Sequence, residues 1–93
     1  MDEKETIALQ QQLQSVLIQI ESLRMRKIEV EKAMEELEKS KEKFAYRIAG
    51  EIMVKRDKEE LKKELEEELE GIDLRIKSLE KTKARIEKKL GGG

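Results

Sequence analysis

The sequence predicts a mainly α fold, a long antiparallel coiled-coil hairpin with one central β-hairpin at its bend. Three observations carry that reading. Apolar residues recur at alternating steps of four and three on both sides of the centre, the heptad rhythm of a narrow helical seam. The only stretch with period-two alternation lies between those arms. A composition of 46% charged, 37% hydrophobic and 2% aromatic residues cannot fill a broad core, whereas it suits long helices with thin apolar stripes. A chain of 93 residues allows one domain, 1–93, divided into a helix over about 3–42, a β-hairpin over about 44–56 and a helix over about 57–90.

In the first arm the seam runs through Leu9, Leu13, Val16, Ile20 and Leu23, crosses Lys27, and continues through Val30, Met34 and Leu37. Lys27 admits two readings. Its aliphatic stem crosses the seam while the ammonium group reaches water, or its charge specifies the register or the partner of the pairing.

In the centre, Phe44, Tyr46 and Ile48 alternate with Ala45 and Arg47, and Ile52 and Val54 alternate with Met53 and Lys55. A three-residue turn through Ala49, Gly50 and Glu51 would set Ile48 opposite Ile52 and Tyr46 opposite Val54, with Gly50 supplying the left-handed conformation such loops require. One apolar face results. A two-stranded hairpin is marginal alone in water. That face therefore needs a sheet or helix from another subunit, and oligomerisation is the physical consequence.

The second arm opens with Asp57 and, three residues on, Glu60, just ahead of Leu61. This is capping-box spacing and predicts a helix from Asp57 or Lys58. Its seam runs through Leu65, Leu69, Ile72, Ile76 and Leu79, skips over Lys83, and finishes with Ile86 and Leu90. Lys83 takes the same two readings as Lys27. Gly71 inside this helix costs about 1 kcal/mol relative to alanine. Gly91, Gly92 and Gly93 stop the helix, since glycine gives up the most conformational entropy there.

Folding back at the hairpin places both chain ends at one tip, roughly 55 to 60 Å from the bend for helices of about 35 to 40 residues. Arg75, Lys77, Lys81, Lys83, Arg85, Lys88 and Lys89 then oppose an N-terminal stretch that is acidic at Asp2, Glu3, Glu5 and Glu21. Exposed pairs of that kind contribute only ~0.2 to 1 kcal/mol each, so they set register more than stability.

Several function classes are excluded. A net charge of −1, from 21 basic and 22 acidic residues, gives no global reason to expect nucleic acid or an anionic membrane as partner. The basic cluster Arg24, Arg26 and Lys27 lies far along the arm from Phe44 and Tyr46, so no stacking platform for nucleic acid forms. Without histidine or cysteine, Ser15, Ser22, Ser40 and Ser78 have no recognisable activating base, and no enzyme is expected. There is no Gly-rich phosphate loop, and no cofactor is implied. Glu66, Glu67 and Glu68 point in different directions on a helix and cannot converge on a cation; they are read as a solvated face. No run approaches the roughly 18 apolar residues of a membrane span, and the acidic start Met1-Asp2-Glu3-Lys4-Glu5 is unlike a signal peptide. The expectation is a soluble, cytoplasmic protein.

The segment Ala45-Tyr46-Arg47-Ile48-Ala49-Gly50-Glu51-Ile52-Met53-Val54-Lys55 lies between a Gln-rich first helix (Gln10-Gln11-Gln12-Leu13-Gln14) and a second helix carrying Leu74-Arg75-Ile76-Lys77-Ser78-Leu79-Glu80-Lys81. In this arrangement the chain resembles the archaeal beta-type subunits of the prefoldin family over nearly its whole length. The Tyr-basic-x-x-Gly-x-x-x-Val-Lys hairpin carries the resemblance. Both arms are shorter than is usual in that family, and there is no proline.

The resemblance implies a subunit of a hexamer of two alpha-type and four beta-type chains, in which hairpins complete an intersubunit β-barrel and coiled coils hang from it. It implies an ATP-independent chaperone, a holdase, whose arm tips bind unfolded proteins and pass them to a group II chaperonin. Carried onto this sequence, subunit assembly falls to Phe44, Tyr46, Ile48, Gly50, Ile52, Met53 and Val54, and the client-binding tip to Ile7, Leu9, Leu13, Ile86 and Leu90. The tip residues also have a plain structural reading, packing on one another; the two are compatible if the tip opens. The alternative function is a structural subunit that uses the same body but binds one dedicated partner.

Overall fold

The computed structural model describes residues 1–91. Helix α1 spans Glu3–Lys39, strand β1 Phe44–Ala49, strand β2 Ile52–Asp57 and helix α2 Lys58–Gly91. The two helices lie antiparallel in a body of 60 × 25 × 15 Å, the proportions of a single two-helix arm.

Both helices start on the same local device. The Asp2 carboxylate accepts from the Glu5 amide at 2.8 Å, and the Asp57 carboxylate accepts from the amides of Glu59 and Glu60 at 3.0 and 3.2 Å. Each satisfies amides that have no partner in the first turn. At the other end α1 stops at Lys39, short of the expected boundary near 42. Ser40 turns to extended backbone, and its hydroxyl accepts from the Glu42 amide. Serine competes in this way with helical bonding. The Lys58 ammonium holds the Ser40 carbonyl at 2.6 Å, and the Lys58 amide donates to the Lys43 carbonyl, so the start of α2 fixes the end of α1. Gly91 is still helical; Gly92 and Gly93, expected to end the helix, lie outside the described residues.

The seam forms the core in two clusters. Near the hairpin Val30, Leu37, Leu61, Leu65 and Ile72 are buried, with Ala45 of β1 packed against them. Farther out Val16, Ile20, Leu79 and Ile86 are buried, joined by half-buried Leu9, Leu13 and Leu90. Half-buried Leu23 packs against both clusters. Between them Lys27 leaves the seam sideways to meet Asp73 at 2.7 Å. The stem stays in the seam and the charge escapes it.

The hairpin register differs from the sequence expectation. Gly50 and Glu51 alone make the turn, and Ile48 faces Met53, Tyr46 faces Lys55 and Arg47 faces Val54. Gly50 has φ +63° and no other residue type has positive φ among the described residues, which fits a two-residue loop with glycine in its first position. A shift of one residue exchanges faces. Phe44, Tyr46, Ile48 and Met53 therefore share the outer face, while Ile52 and Val54 lie on the other side with Ala45 and Arg47.

Candidate functional site

Two surfaces emerge from this frame, one on the hairpin and one at the far end of the arm. On the outer hairpin face, Phe44, Tyr46, Ile48 and Met53 are exposed, Ile48 to 74% and Tyr46 to 62%. Ile52 and Val54 are also exposed, though on the opposite face. The Lys55 ammonium sits 4.3 Å from the Phe44 ring centroid, a diagonal cross-strand contact that caps one end of the outer face. Among the described residues no large apolar side chain of the hairpin is buried within the chain, the least exposed being Val54 at 39%.

The inner side is held by charge. Arg56 and Arg47 both pair with Glu64 of α2, and Arg47 approaches Glu68 at 3.8 Å. Glu68 in turn receives Arg26 of α1 at 2.6 Å, and Arg26 also meets Glu29. A continuous line of alternating charge thus ties both strands to both helices. Each exposed pair contributes little, ~0.2 to 1 kcal/mol, but together they fix which way the apolar face points. The hydrogen bonds it donates to Glu68 and then to Glu29 hold the Arg26 guanidinium above its ordinary pKa.

Two sequence readings are corrected here. Glu68 is not part of a solvated face; it turns toward Arg26 and Arg47, whereas Glu66 and Glu67 are exposed. The acidic N-terminus does not pair with the basic end of α2. The cross-helix pairs are instead Arg24–Glu80, Arg26–Glu68, Lys27–Asp73 and Lys62–Glu38. The basic cluster of α1 is accounted for in full by carboxylates of α2. The Asp73 hydrogen bond raises the Lys27 pKa, and the Lys62–Glu38 bond raises the lysine and lowers the carboxyl.

At the arm end, Leu9, Leu13, Ile86 and Leu90 pack together, with Ile86 buried. Ile7 is apart from them, 47% exposed, because it lies two residues from Leu9 and so roughly opposite the seam on a helix. A groove of about 730 Å³ runs beside Leu9, lined by Ala8 and Gln12 of α1 and by Lys88 and Lys89 of α2. Ile18, Met25 and Ile28 on α1 and Leu74 on α2 are exposed as well. The heptad reading passed over these because they fall outside the seam. Among the described residues no cluster of carboxylates could hold a metal ion, and no helix is long and apolar enough to cross a membrane.

The family model described as prefoldin subunit matches residues 3–91. The chain belongs to the prefoldin family. It is 37% identical over 82 residues to the prefoldin subunit beta of Thermococcus onnurineus, covering 87% of this chain and 71% of that one. It is 39% identical over 80 residues to the prefoldin subunit beta of Methanothrix thermoacetophila, covering 85% and 67%. Its fold matches the crystal structure of the prefoldin beta subunit from Thermococcus strain KS-1 with a TM-score of 0.82 and 30% identity, over 94% of this chain and 77% of the other. Membership of the prefoldin family, on the beta side, supports a prefoldin-type chaperone role.

Proposed function

We propose that this chain is a subunit of an ATP-independent holdase. It assembles through its hairpin with an alpha-type prefoldin subunit and further beta-type copies, as a hexamer, and holds unfolded proteins at the arm ends for delivery to a group II chaperonin in the cytoplasm. The carrying observation is the uncovered hairpin: a prefoldin-family chain leaves Phe44, Tyr46, Ile48, Ile52, Met53 and Val54 exposed on a two-stranded sheet. Apolar area gains about 25 cal/mol per Å² when covered, and an isolated hairpin needs further strands. A barrel closed by several hairpins meets both needs. Gly50 then serves as the turn that holds the two strands in register.

In this reading Ile7, Leu9, Leu13, Ile86 and Leu90 contact clients, Ile7 from the closed arm and the other four as the ends part. Several arms sharing one client multiply weak contacts through effective concentration. The test is suppression of aggregation of a chemically unfolded client by the assembled oligomer without nucleotide. An assembly of correct mass that leaves aggregation unchanged overturns the reading. The alternative, a structural subunit dedicated to one folded partner, draws on exposed Ile18, Met25 and Ile28; a single stoichiometric partner seated on α1, lost in Ile18→Asp, would favour it.

A further inference from the structure

The groove at the arm end has two banks of different charge. One is the start of α1, where Ala8, Leu9 and Gln12 line it and no residue from Thr6 to Ile20 is charged. The other is the end of α2, where Lys88 and Lys89 line it, and where Arg85 and Lys89 flank its continuation toward Ile86. From Lys81 to Leu90 the only acid is Glu87. Among the described residues Lys83 is the only basic side chain of this stretch to make an ion pair, with Glu80 at 4.0 Å, while Arg85 donates to the Thr82 hydroxyl. Glu5 is the one carboxylate on the lining of the larger groove, and it makes no ion pair with Lys88 or Lys89. Among the described residues an apolar floor thus carries a mainly positive rim, with Lys88 and Lys89 against the single carboxylate of Glu5.

We propose that this groove selects polypeptide segments in which apolar side chains are flanked by aspartate or glutamate. The apolar groups lie against Ala8 and Leu9, and the carboxylates meet Lys88 and Lys89, with Arg85 beside the continuation of the groove. The inference rests on the holdase reading and adds a charge preference to it. Apolar contact supplies affinity without regard to sequence. The rim supplies choice: opposite charge steers encounter, and a basic segment meets like charge. Gln12 offers both a donor and an acceptor to the backbone of any bound segment.

The test uses two peptides of the same apolar sequence, one flanked by glutamate and one by lysine, titrated against the assembled full chain by fluorescence anisotropy. Suppression of client aggregation is measured in parallel. The glutamate peptide is expected to bind roughly threefold to thirtyfold more tightly, from a few exposed charge contacts. The difference shrinks as salt shortens the reach of the rim. Lys88→Glu with Lys89→Glu, which retains helix content and assembly mass, reverses the order. Equal binding of both peptides, binding of neither, or a preference that survives the charge reversal overturns the proposal. Suppression of aggregation that persists in those cases leaves the holdase reading standing, whereas its loss beside an intact peptide preference counts against that reading alone.

Discussion

Replacing Ile48 by aspartate tests the hairpin as an assembly joint at its most exposed point. Ile48 is 74% exposed in the single chain, and full burial of an isoleucine contributes ~1.5 to 3 kcal/mol. About three quarters of that, ~1 to 2 kcal/mol, is therefore still to be gained when a neighbouring hairpin covers it. Ile48→Asp forfeits this at each joint. A contact to which two such residues contribute loses ~2 to 4 kcal/mol, roughly 30- to 700-fold in dissociation constant, before the cost of burying a carboxylate is added. The helical arm is untouched, because Ile48 lies outside both core clusters. Sedimentation velocity across a concentration series should show wild-type assembly and mutant dissociation, with unchanged helix content by circular dichroism. An assembly of the same mass and concentration dependence in the mutant refutes the argument.

Four further outcomes follow from the same geometry. Leu65→Ala, in the cluster near the hairpin, should lower unfolding free energy by ~2 to 5 kcal/mol in urea titration, whereas Ile18→Ala should stay within ~0.5 kcal/mol. Glu64→Gln removes the charge that Arg47 and Arg56 share as partner, leaving Arg47 only its longer contact to Glu68, so hydrogen exchange should quicken in the hairpin amides and not in the helices. Gly50→Ala places a side chain at φ +63° and should cost ~1 to 2 kcal/mol, while Gly71→Ala, with nothing within 4 Å of the added carbon, should stabilise by ~0.5 to 1 kcal/mol. For the Lys62–Glu38 pair the carboxyl is lowered and the ammonium raised. The Glu38 contribution is present above its unfolded pKa and lost as pH falls through the folded value; the Lys62 contribution is present below its unfolded pKa and lost as pH rises through the folded value. The share of the melting temperature that this pair contributes should thus hold a plateau between about pH 5 and 10 and decline outside it, and Lys62→Met should make both shoulders shallower without abolishing them.

The helical architecture was legible because a seam is a local periodic property. Every apolar position from Leu9 to Leu37 and from Leu65 to Leu90 that the spacing singled out is buried or half-buried. Lys27 and Lys83 kept the rhythm while leaving the core, as long aliphatic stems can. The existence of the hairpin was equally legible from alternation. Its register was not, because Ala49-Gly50-Glu51 and Gly50-Glu51 are both acceptable turns, and alternation is indifferent to which one closes the strands. That single residue decides whether Met53 or Ile52 joins Ile48. The ion pairs were hidden for a related reason: which charges meet depends on the rotation of each helix about its axis, and a list of seam residues leaves the flanking positions open. Asp2 and Glu5 repeat the spacing of Asp57 and Glu60, so the first cap could have been found by the signal that found the second.

The division of the core into two clusters has a mechanical consequence. Lys27 stands where a continuous seam on α1 would place apolar contact, and among the described residues Leu23 packs against both clusters. The outer cluster has no β-strand behind it, while the inner one is buttressed by Ala45 and by the ionic line through Glu64 and Glu68. Local opening runs along such weak joints rather than through the whole fold. Opening confined to the outer half would bare Val16, Ile20, Leu79 and Ile86 and leave the contacts that hold the hairpin in place.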